Sequence, residues 1–385
     1  MSDLASQRPT RIRVDLDALA HNLRAIRERT GRKVMGIVKA NAYGHGLVPV
    51  AKHLEASGVD QLGVAFVEEG IALRRAGVRV PILVMGGVYG KQLGDFIAND
   101  LAITVSSVDK LRLAEAAAEA AGRRASVHLK IDTGMNRIGM QSDRCGPLLE
   151  AAFASPHCVV EGVYSHLACA DDPDHPMTAQ QTARFKVVCA EVERLCAARG
   201  RPLPLRHLAN SGGVLHFPDT WLDTVRPGIA LFGALPDPAS RDTVGLKPVL
   251  SLTSRVVYFK VVREGATVSY GATWTASADT RVVTIPIGYG DGWPRALSSK
   301  GEVLVRGARQ PIVGRVCMDQ FMVNLGPDGT AYNEDEVVLI GAQGDERISV
   351  EAVAEKAGTI PYEILTGLNE RIPREYISSR TPRAS

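Results

Sequence analysis

The sequence predicts an α/β chain with an added all-β part: an amino-terminal (β/α)8 barrel of the TIM type, followed by a mainly antiparallel β domain. Three observations lead there. From about residue 33 to 230, short β-branched runs alternate with helical patterns, the mark of βαβ units and a parallel sheet. Eight such runs fit this stretch, the strand count of a closed barrel. After residue 245 the long helical patterns stop and strand-like runs punctuated by Gly and Pro take over. At 385 residues the chain also exceeds what one hydrophobic core usually holds, so two domains are expected, over residues 10–242 and 243–385.

The expected barrel strands are KVMGIVKA (33–40), QLGVAF (61–66), PILVMG (81–86), AITVSS (102–107), SVHLKID (126–132), VVEGVYSHL (159–167), LRHLAN (205–210) and TVRPGIA (224–230). Helical segments such as EEGIALRRAG, VDKLRLAEAAAEAAG and TARFKVVCAEVERLCAARG lie between them. In the second domain SRVVYFKVV, TVSYGATW, RVVTIPI, EVLVRG, QPIVGRV and EVVLIG read as strands. The polar tail SSRTPRAS is expected to fray.

A hydrophobic content of 45% with 23% charged residues is ordinary for a soluble globular protein, and neither disorder nor low complexity is indicated. The net charge of +3 is spread without a basic block, which gives no reason to expect nucleic acid or an anionic membrane as partner. Cys145, Cys158, Cys169, Cys189, Cys196 and Cys317 form no C-x-x-C pair and fall mostly in apolar or helical patterns, as expected of reduced thiols. The amino terminus lacks the apolar core of a signal peptide, and no apolar run reaches the roughly 18 residues of a membrane span. A cytoplasmic, small-molecule role is expected, without a bound metal.

In a barrel of this type the chemistry sits at the carboxyl ends of the strands. Lys39 ends the first strand, Lys130 and Asp132 the fifth with Arg137 just beyond, His166 the sixth, Asn210 and Ser211 the seventh, Arg226 and Gly228 the eighth. Lys39 follows an apolar strand, where desolvation disfavours the ammonium and favours the neutral amine that a Schiff base requires. The plain alternative is a lysine snorkelling from a strand end. Two glycines and a tyrosine after it, in ANAYGHG, suit a loop that closes on an anion. Asn210-Ser211-Gly212-Gly213 precedes a short helix where barrels often bind phosphate, although as a turn and N-cap it needs no ligand. With Gly228 and Ile229 beside it, a lysine and a phosphate cradle in one mouth imply either pyridoxal phosphate or a sugar-phosphate aldolase.

Four motifs, VKANAYGHG, KIDTGMNRIG, VSYGATW and GRVCMDQFMV, resemble those of the alanine racemase family, in order and across about residues 10 to 377. The resemblance implies that Lys39 carries pyridoxal 5'-phosphate, that Tyr43, Ser211 and Tyr362 hold the phosphate with backbone from Gly228 and Ile229, and that His166 and Asn210 belong to the cofactor site. It implies an Arg226 guanidinium facing the pyridine nitrogen, with Lys39 and Tyr270 as the two bases on opposite faces of the substrate. Arg137 would bind the substrate carboxylate, Met318, Asp319 and Tyr289 would complete the substrate site, and Lys130 would be carbamylated. A homodimer with shared active sites is implied, interconverting L- and D-alanine and supplying D-alanine for peptidoglycan. Read without the family, Arg226 is equally a structural ion pair, Tyr270 a strand aromatic, and Lys130 a partner of Asp132. Gly290 stands where the family often has Ala, and Phe232 where it often has Tyr.

The competing enzyme reading is another barrel pyridoxal-phosphate enzyme, a racemase of serine or of broader range, or a basic amino-acid decarboxylase. Decarboxylases of this fold place an acidic residue at the pyridine nitrogen, where Arg226 stands here. A pyridoxal-phosphate carrier without turnover is a reading from another class; it would not need the β domain that bears Tyr270.

Overall fold

The computed structural model describes residues 7–241 and 243–379. Residue 242, where the sequence places the end of the barrel, lies outside the described residues, as do residues 1–6 and the end of the polar tail. The chain divides into two compact units, one built from Leu19–Ala42 and Leu47–Lys247, the other from residues up to Ala18, Tyr43–Gly46 and the chain from Pro248 onward.

The first unit is a nearly closed parallel barrel. Its strands are β1 (Lys33–Ile37), β2 (Gln61–Val64), β3 (Ile82–Val84), β4 (Leu101–Val105), β5 (Ala125–Asp132), β6 (Cys158–Tyr164), β7 (Leu205–His207) and β8 (Thr224–Val225). They pair in the order β8-β1-β2-β3-β4-β5-β6-β7. Backbone bonds from Asp223 N to Arg206 O (3.1 Å) and Arg226 N to Ala209 O (3.0 Å) bridge the remaining seam. Each of the eight expected runs carries one strand. β3 and β4 are buried at every residue, which is why these runs read as continuous apolar stretches with no alternation.

The helices cover the strands with one apolar stripe each. In Val108–Ala120 the buried residues are Leu111, Ala114 and Ala118, and the Ser107 side chain caps the start by accepting from Lys110 N at 3.2 Å. Met177–Arg199 buries Phe185, Val188, Cys189, Val192, Leu195 and Cys196, so two of the cysteines serve as small apolar residues of its stripe. All six cysteines are free thiols.

The second unit is a largely antiparallel sheet. Its strands run in the order Tyr258–Val262, Thr280–Ile285, Phe321–Gly326, Ala308–Val313, Glu302–Val305, Glu336–Gln343, Leu250–Arg255, Arg11–Asp15 and Arg374–Ile377. Arg11–Asp15 lies inside the segment that the sequence assigns to the barrel, yet it pairs antiparallel with Leu250–Arg255 and parallel with Arg374–Ile377. Its alternation explains why: Ile12 and Val14 are fully buried while Arg13 between them is exposed.

TVSYGATW, expected as one strand, is instead a small hairpin. Thr267–Val268 pairs with Trp274–Thr275, and Tyr270 sits on the 3-10 turn Tyr270–Ala272 between them. Val262, Val268, Ala276, Val282 and Val313 form a core beneath the hairpin.

Candidate active site

β1 ends at Ile37, and Lys39 opens a turn that winds the wrong way for L-residues. Ala40, Asn41, Ala42 and Tyr43 have φ of 53°, 54°, 52° and 52°, four successive non-glycine residues in the left-handed region. Each such residue costs roughly 1–2 kcal/mol. Fixed partners offset this: Glu69 Oε1 accepts from Ala40 N (2.7 Å), Val38 O accepts from Ala42 N (2.8 Å), and Asn41 Oδ1 accepts from Leu47 N (2.8 Å). Glu69 is itself anchored by its other oxygen, which accepts from Ala65 N (2.8 Å) and Phe66 N (3.1 Å). The turn thereby directs Lys39 into the barrel mouth.

Lys39 is open to solvent through that mouth, yet the crowded walls desolvate its ammonium, and Arg137 repels it; Glu69 opposes only in part. Its amine is held below the ordinary lysine range. Arg137 lies on a loop fixed by Asp132, whose Oδ1 accepts from Gly134 N (2.8 Å) and Asn136 N (3.1 Å). Among the described residues the exposed Arg137 guanidinium has no ion pair.

Deeper in the barrel Lys130 and Arg226 both lie against the Tyr164 ring, and among the described residues neither has a carboxylate partner. Lys130 is 7% exposed and sits over the Tyr164 ring, its Nζ 4.3 Å from the centroid. Burial first, then Arg226 and Arg137, push its pKa well below the usual value, with Asp132 opposing. The simple Lys130–Asp132 pair does not form, because Asp132 serves the loop amides.

Arg226, fully enclosed, donates from Nη1 to His207 Nδ1 (3.1 Å) and from Nη2 to Ser165 O (2.7 Å), Leu208 O (3.1 Å) and His166 Nδ1 (3.3 Å). Among the described residues no carboxylate pairs with it, so the plain reading as half of a structural ion pair is not met there. Among the described residues its buried Nε has no hydrogen-bond partner, and burial lowers its pKa to about 10, so it remains a cation at neutral pH.

These bonds fix the histidine tautomers. Because His207 Nδ1 accepts from Arg226, its Nε2 carries the proton and donates to His128 Nδ1 at 2.9 Å. Burial, followed by the nearby cations, depresses His128 to about 3 and His166 and His207 well below the ordinary value, so all three are neutral. Tyr164 stacks on His207 at 4.8 Å and 4°, and its phenol, raised to about 12 by burial, donates to Thr104 Oγ1 at 2.8 Å. Only a glycine at 162 admits His128, since a Cβ there would lie 2.1 Å from its Nδ1. Sequence reasoning missed His128, Tyr164, Thr104 and Glu69. The strand period offered a signal for some of them: His128 shares its parity with Lys130, and Tyr164 with His166.

At the β7 and β8 ends, Asn210 caps the helix Ser211–His216: its Oδ1 accepts from Gly213 N (3.0 Å) and its Nδ2 donates to Leu167 O (3.3 Å). Ser211 Oγ accepts from Gly228 N (3.0 Å) and Ala230 N (3.3 Å). The Gly228 amide is thus engaged. Ile229 is the first residue of the 3-10 turn Ile229–Phe232, where a backbone N–H has no partner within the turn.

Tyr43 and Tyr362 belong to the second unit, their ring centroids 6.1 Å apart at 48°. Burial raises the Tyr43 pKa, so it is a phenol and a donor. The glycines after Tyr43, expected to shape an anion loop, have another reason. A Cβ on Gly44 would lie 2.1 Å from Leu365 O, and one on Gly46 1.9 Å from Tyr376 Oη. They allow close packing at these two points.

Tyr270, Tyr289, Met318 and Asp319 also lie in the second unit, on three linked loops. Tyr270 is 73% exposed, Met318 53% and Tyr289 43%. Tyr289 N donates to Cys317 O (3.1 Å) and Gly290 N to Met318 O (2.8 Å). Asp319 Oδ1 accepts from Arg371 Nη2 at 2.6 Å. Gly290 leaves room for that arginine, because a Cβ there would be 2.4 Å from Arg371 Nη1. Among the described residues no group of three or more His, Cys, Asp or Glu is placed to hold a metal ion, and no helix is long and apolar enough to cross a membrane.

A parallel barrel with a depressed lysine and a buried arginine at the strand ends, followed by an antiparallel sheet, defines a class with close relatives. Residues 14–236 match the sequence model of the alanine racemase N-terminal domain and residues 249–376 that of the C-terminal domain. The alanine racemase of Desulforamulus reducens is 42% identical over 94% of this chain and 98% of its own length, and that of Symbiobacterium thermophilum 44% identical over 97% and 98%. Among solved structures, the alanine racemase of Streptomyces coelicolor matches with a TM-score of 0.92 and 39% identity over 98% of this chain and all of its own. That of the D-cycloserine producer Streptomyces lavendulae matches with a TM-score of 0.92 and 38% identity over 97% and 98%. The chain belongs to the alanine racemase family, and it is an isomerase.

Proposed function

We propose that this enzyme interconverts L- and D-alanine with pyridoxal phosphate, using Lys39 and Tyr270 as proton carriers on opposite faces of the substrate. The observation that carries the reading is the buried Arg226 Nε, a donor without a protein acceptor, in the barrel whose mouth holds the depressed Lys39 amine. A pyridine nitrogen is an acceptor of the kind that this N–H lacks. The Ser211 O–H, the Ile229 amide and the phenols of Tyr43 and Tyr362 are donors suited to the phosphate, while Asn210 and Gly228 hold the loops that present it.

When bound, pyridoxal phosphate would supply the electron-withdrawing ring that makes the α-hydrogen of an amino acid acidic. The protein's part is to choose what happens to that hydrogen. A guanidinium with a pKa of about 10 donates a hydrogen bond without transferring its proton, and the neutral histidines behind it supply none. Charge withdrawal into the ring is thereby limited, which favours return of a proton to Cα. Lys39, held below the usual lysine range, can take or return that proton on its own face. One group does not easily serve both faces of a planar centre, so the Tyr270 phenol is assigned to the other. Arg137, without an ion pair, receives the substrate carboxylate, with Met318, Asp319 and Tyr289 bounding the site.

The exposure of Tyr270 and Met318 supports a functional homodimer in which a second copy supplies the phenol. We further propose that the reaction runs in the cytoplasm, with D-alanine going to peptidoglycan. Incubation with L-alanine in heavy water tests the reading: deuterium should enter Cα while the D-enantiomer accumulates. No exchange with cofactor bound would favour a carrier.

Lys130 is proposed to carry a carbamate. Its neutral amine is the form that adds to carbon dioxide, and the resulting anion would relieve the repulsion from Arg226 and Arg137. Enzyme equilibrated with 13C-bicarbonate should show a slowly exchanging carbamate carbonyl resonance that Lys130→Met lacks. A spectrum identical in the two proteins would sink the idea.

A further inference from the structure

Tyr270 is aimed by its main chain, because almost three-quarters of its surface is exposed and little packs around the ring. The residue before it has an unusual backbone: Ser269 adopts φ 70° and ψ −179°, a region occupied essentially by glycine alone. Serine stands there with a specific partner. Its Oγ donates to Arg315 O at 2.7 Å, and the Cys317 thiol lies 3.5 Å from the same oxygen.

The segment around Arg315 grips the turn at three further points. Gly314 has φ 70°, and a Cβ on it would fall 2.6 Å from Val268 O and 2.7 Å from Ser269 Cβ, so its bareness is what lets the two chains touch. On the other side of Tyr270, a Cβ on Gly271 would lie 3.0 Å from the Arg315 guanidinium carbon. Both neighbours of Tyr270 are therefore held by one strap, which continues directly into Met318 and Asp319. That strap is tied in turn to Tyr289 and Gly290 by the bonds to Cys317 O and Met318 O.

We propose that Ser269 is a positioning residue: its hydroxyl bond to Arg315 O locks the glycine-only backbone that points the Tyr270 phenol, and joins the phenol to the Met318–Asp319 loop as one rigid piece. The inference rests on the reading of Tyr270 as a base. It explains why the position holds serine: glycine would adopt the backbone freely but could not be locked, and alanine would keep the strain and lose the lock.

Ser269→Gly and Ser269→Ala separate aim from stability. Both should lose about 10²-fold in kcat, the scale expected when a reacting group is misplaced by about 1 Å. Ser269→Gly, freed of strain, should melt no lower than Ser269→Ala. With α-deuterated alanine, the primary isotope effect should rise for the enantiomer whose hydrogen leaves through Tyr270 and fall for the other, since only one face is disturbed. Ser269→Gly turning over like the parent with balanced isotope effects overturns the proposal, as does activity that merely tracks melting temperature in both variants. Full activity in Tyr270→Phe overturns the reading beneath it.

Discussion

Tyr270→Phe lowers racemisation by about 10²–10⁴-fold, the range for removing a positioned general acid or base, and leaves the visible absorbance of the bound cofactor unchanged. The absorbance is spared because the phenol is assigned to the proton at Cα and not to the cofactor, which Lys39 and Arg226 are assigned to hold. The variant should also fold normally, since a ring 73% exposed contributes little apolar burial. Absorbance and a chiral assay on the same sample check both halves. Loss of cofactor together with activity would contradict the assigned role.

Acid should unfold this protein steeply. The three histidines around Arg226 have depressed pKa values in the folded state, His128 to about 3, and regain the ordinary value of about 6.5 in the unfolded chain. Below about 6.5 the unfolded state binds protons that the folded state refuses, so stability falls as pH falls. Each histidine contributes about 1.4 kcal/mol per pH unit once the unfolded form is protonated, and three together about 4. The loss begins near neutrality and ends only when the folded groups themselves protonate, for His128 near 3. Urea midpoints measured between pH 7 and 4.5 read the slope. His128→Asn should flatten it by about one proton, and an unchanged slope in that variant would count against the neutral network.

The barrel was legible because its strands are short apolar runs at regular intervals, and the strand period then fixed which side chains reach the mouth. Lys39, Lys130, His166, Ser211 and Arg226 stood out as polar residues at or just beyond the strand ends, and their proposed roles came from the family resemblance. What escaped depends on partners distant in sequence. Nothing local in RIRVD says that Ile12 and Val14 belong to a sheet completed by residues 250–255 and 374–377. The glycines of AYGHG look like an anion loop until Leu365 O and Tyr376 Oη are seen against them. His128 and His207 meet only because β5 and β7 each aim one ring inward past Gly162. Tyr270 was found through family likeness, since a strand-like run of residues does not reveal that its middle is a strained turn.

The left-handed turn after β1 bears on how the molecule matures. No isolated stretch of alanine, asparagine and tyrosine would coil against its natural chirality, so the turn is wound only once Glu69, Val38 and Leu47 stand ready to receive it. Until then Lys39 is an ordinary surface amine. The reactivity of the site thus depends on partners that only the folded barrel brings together.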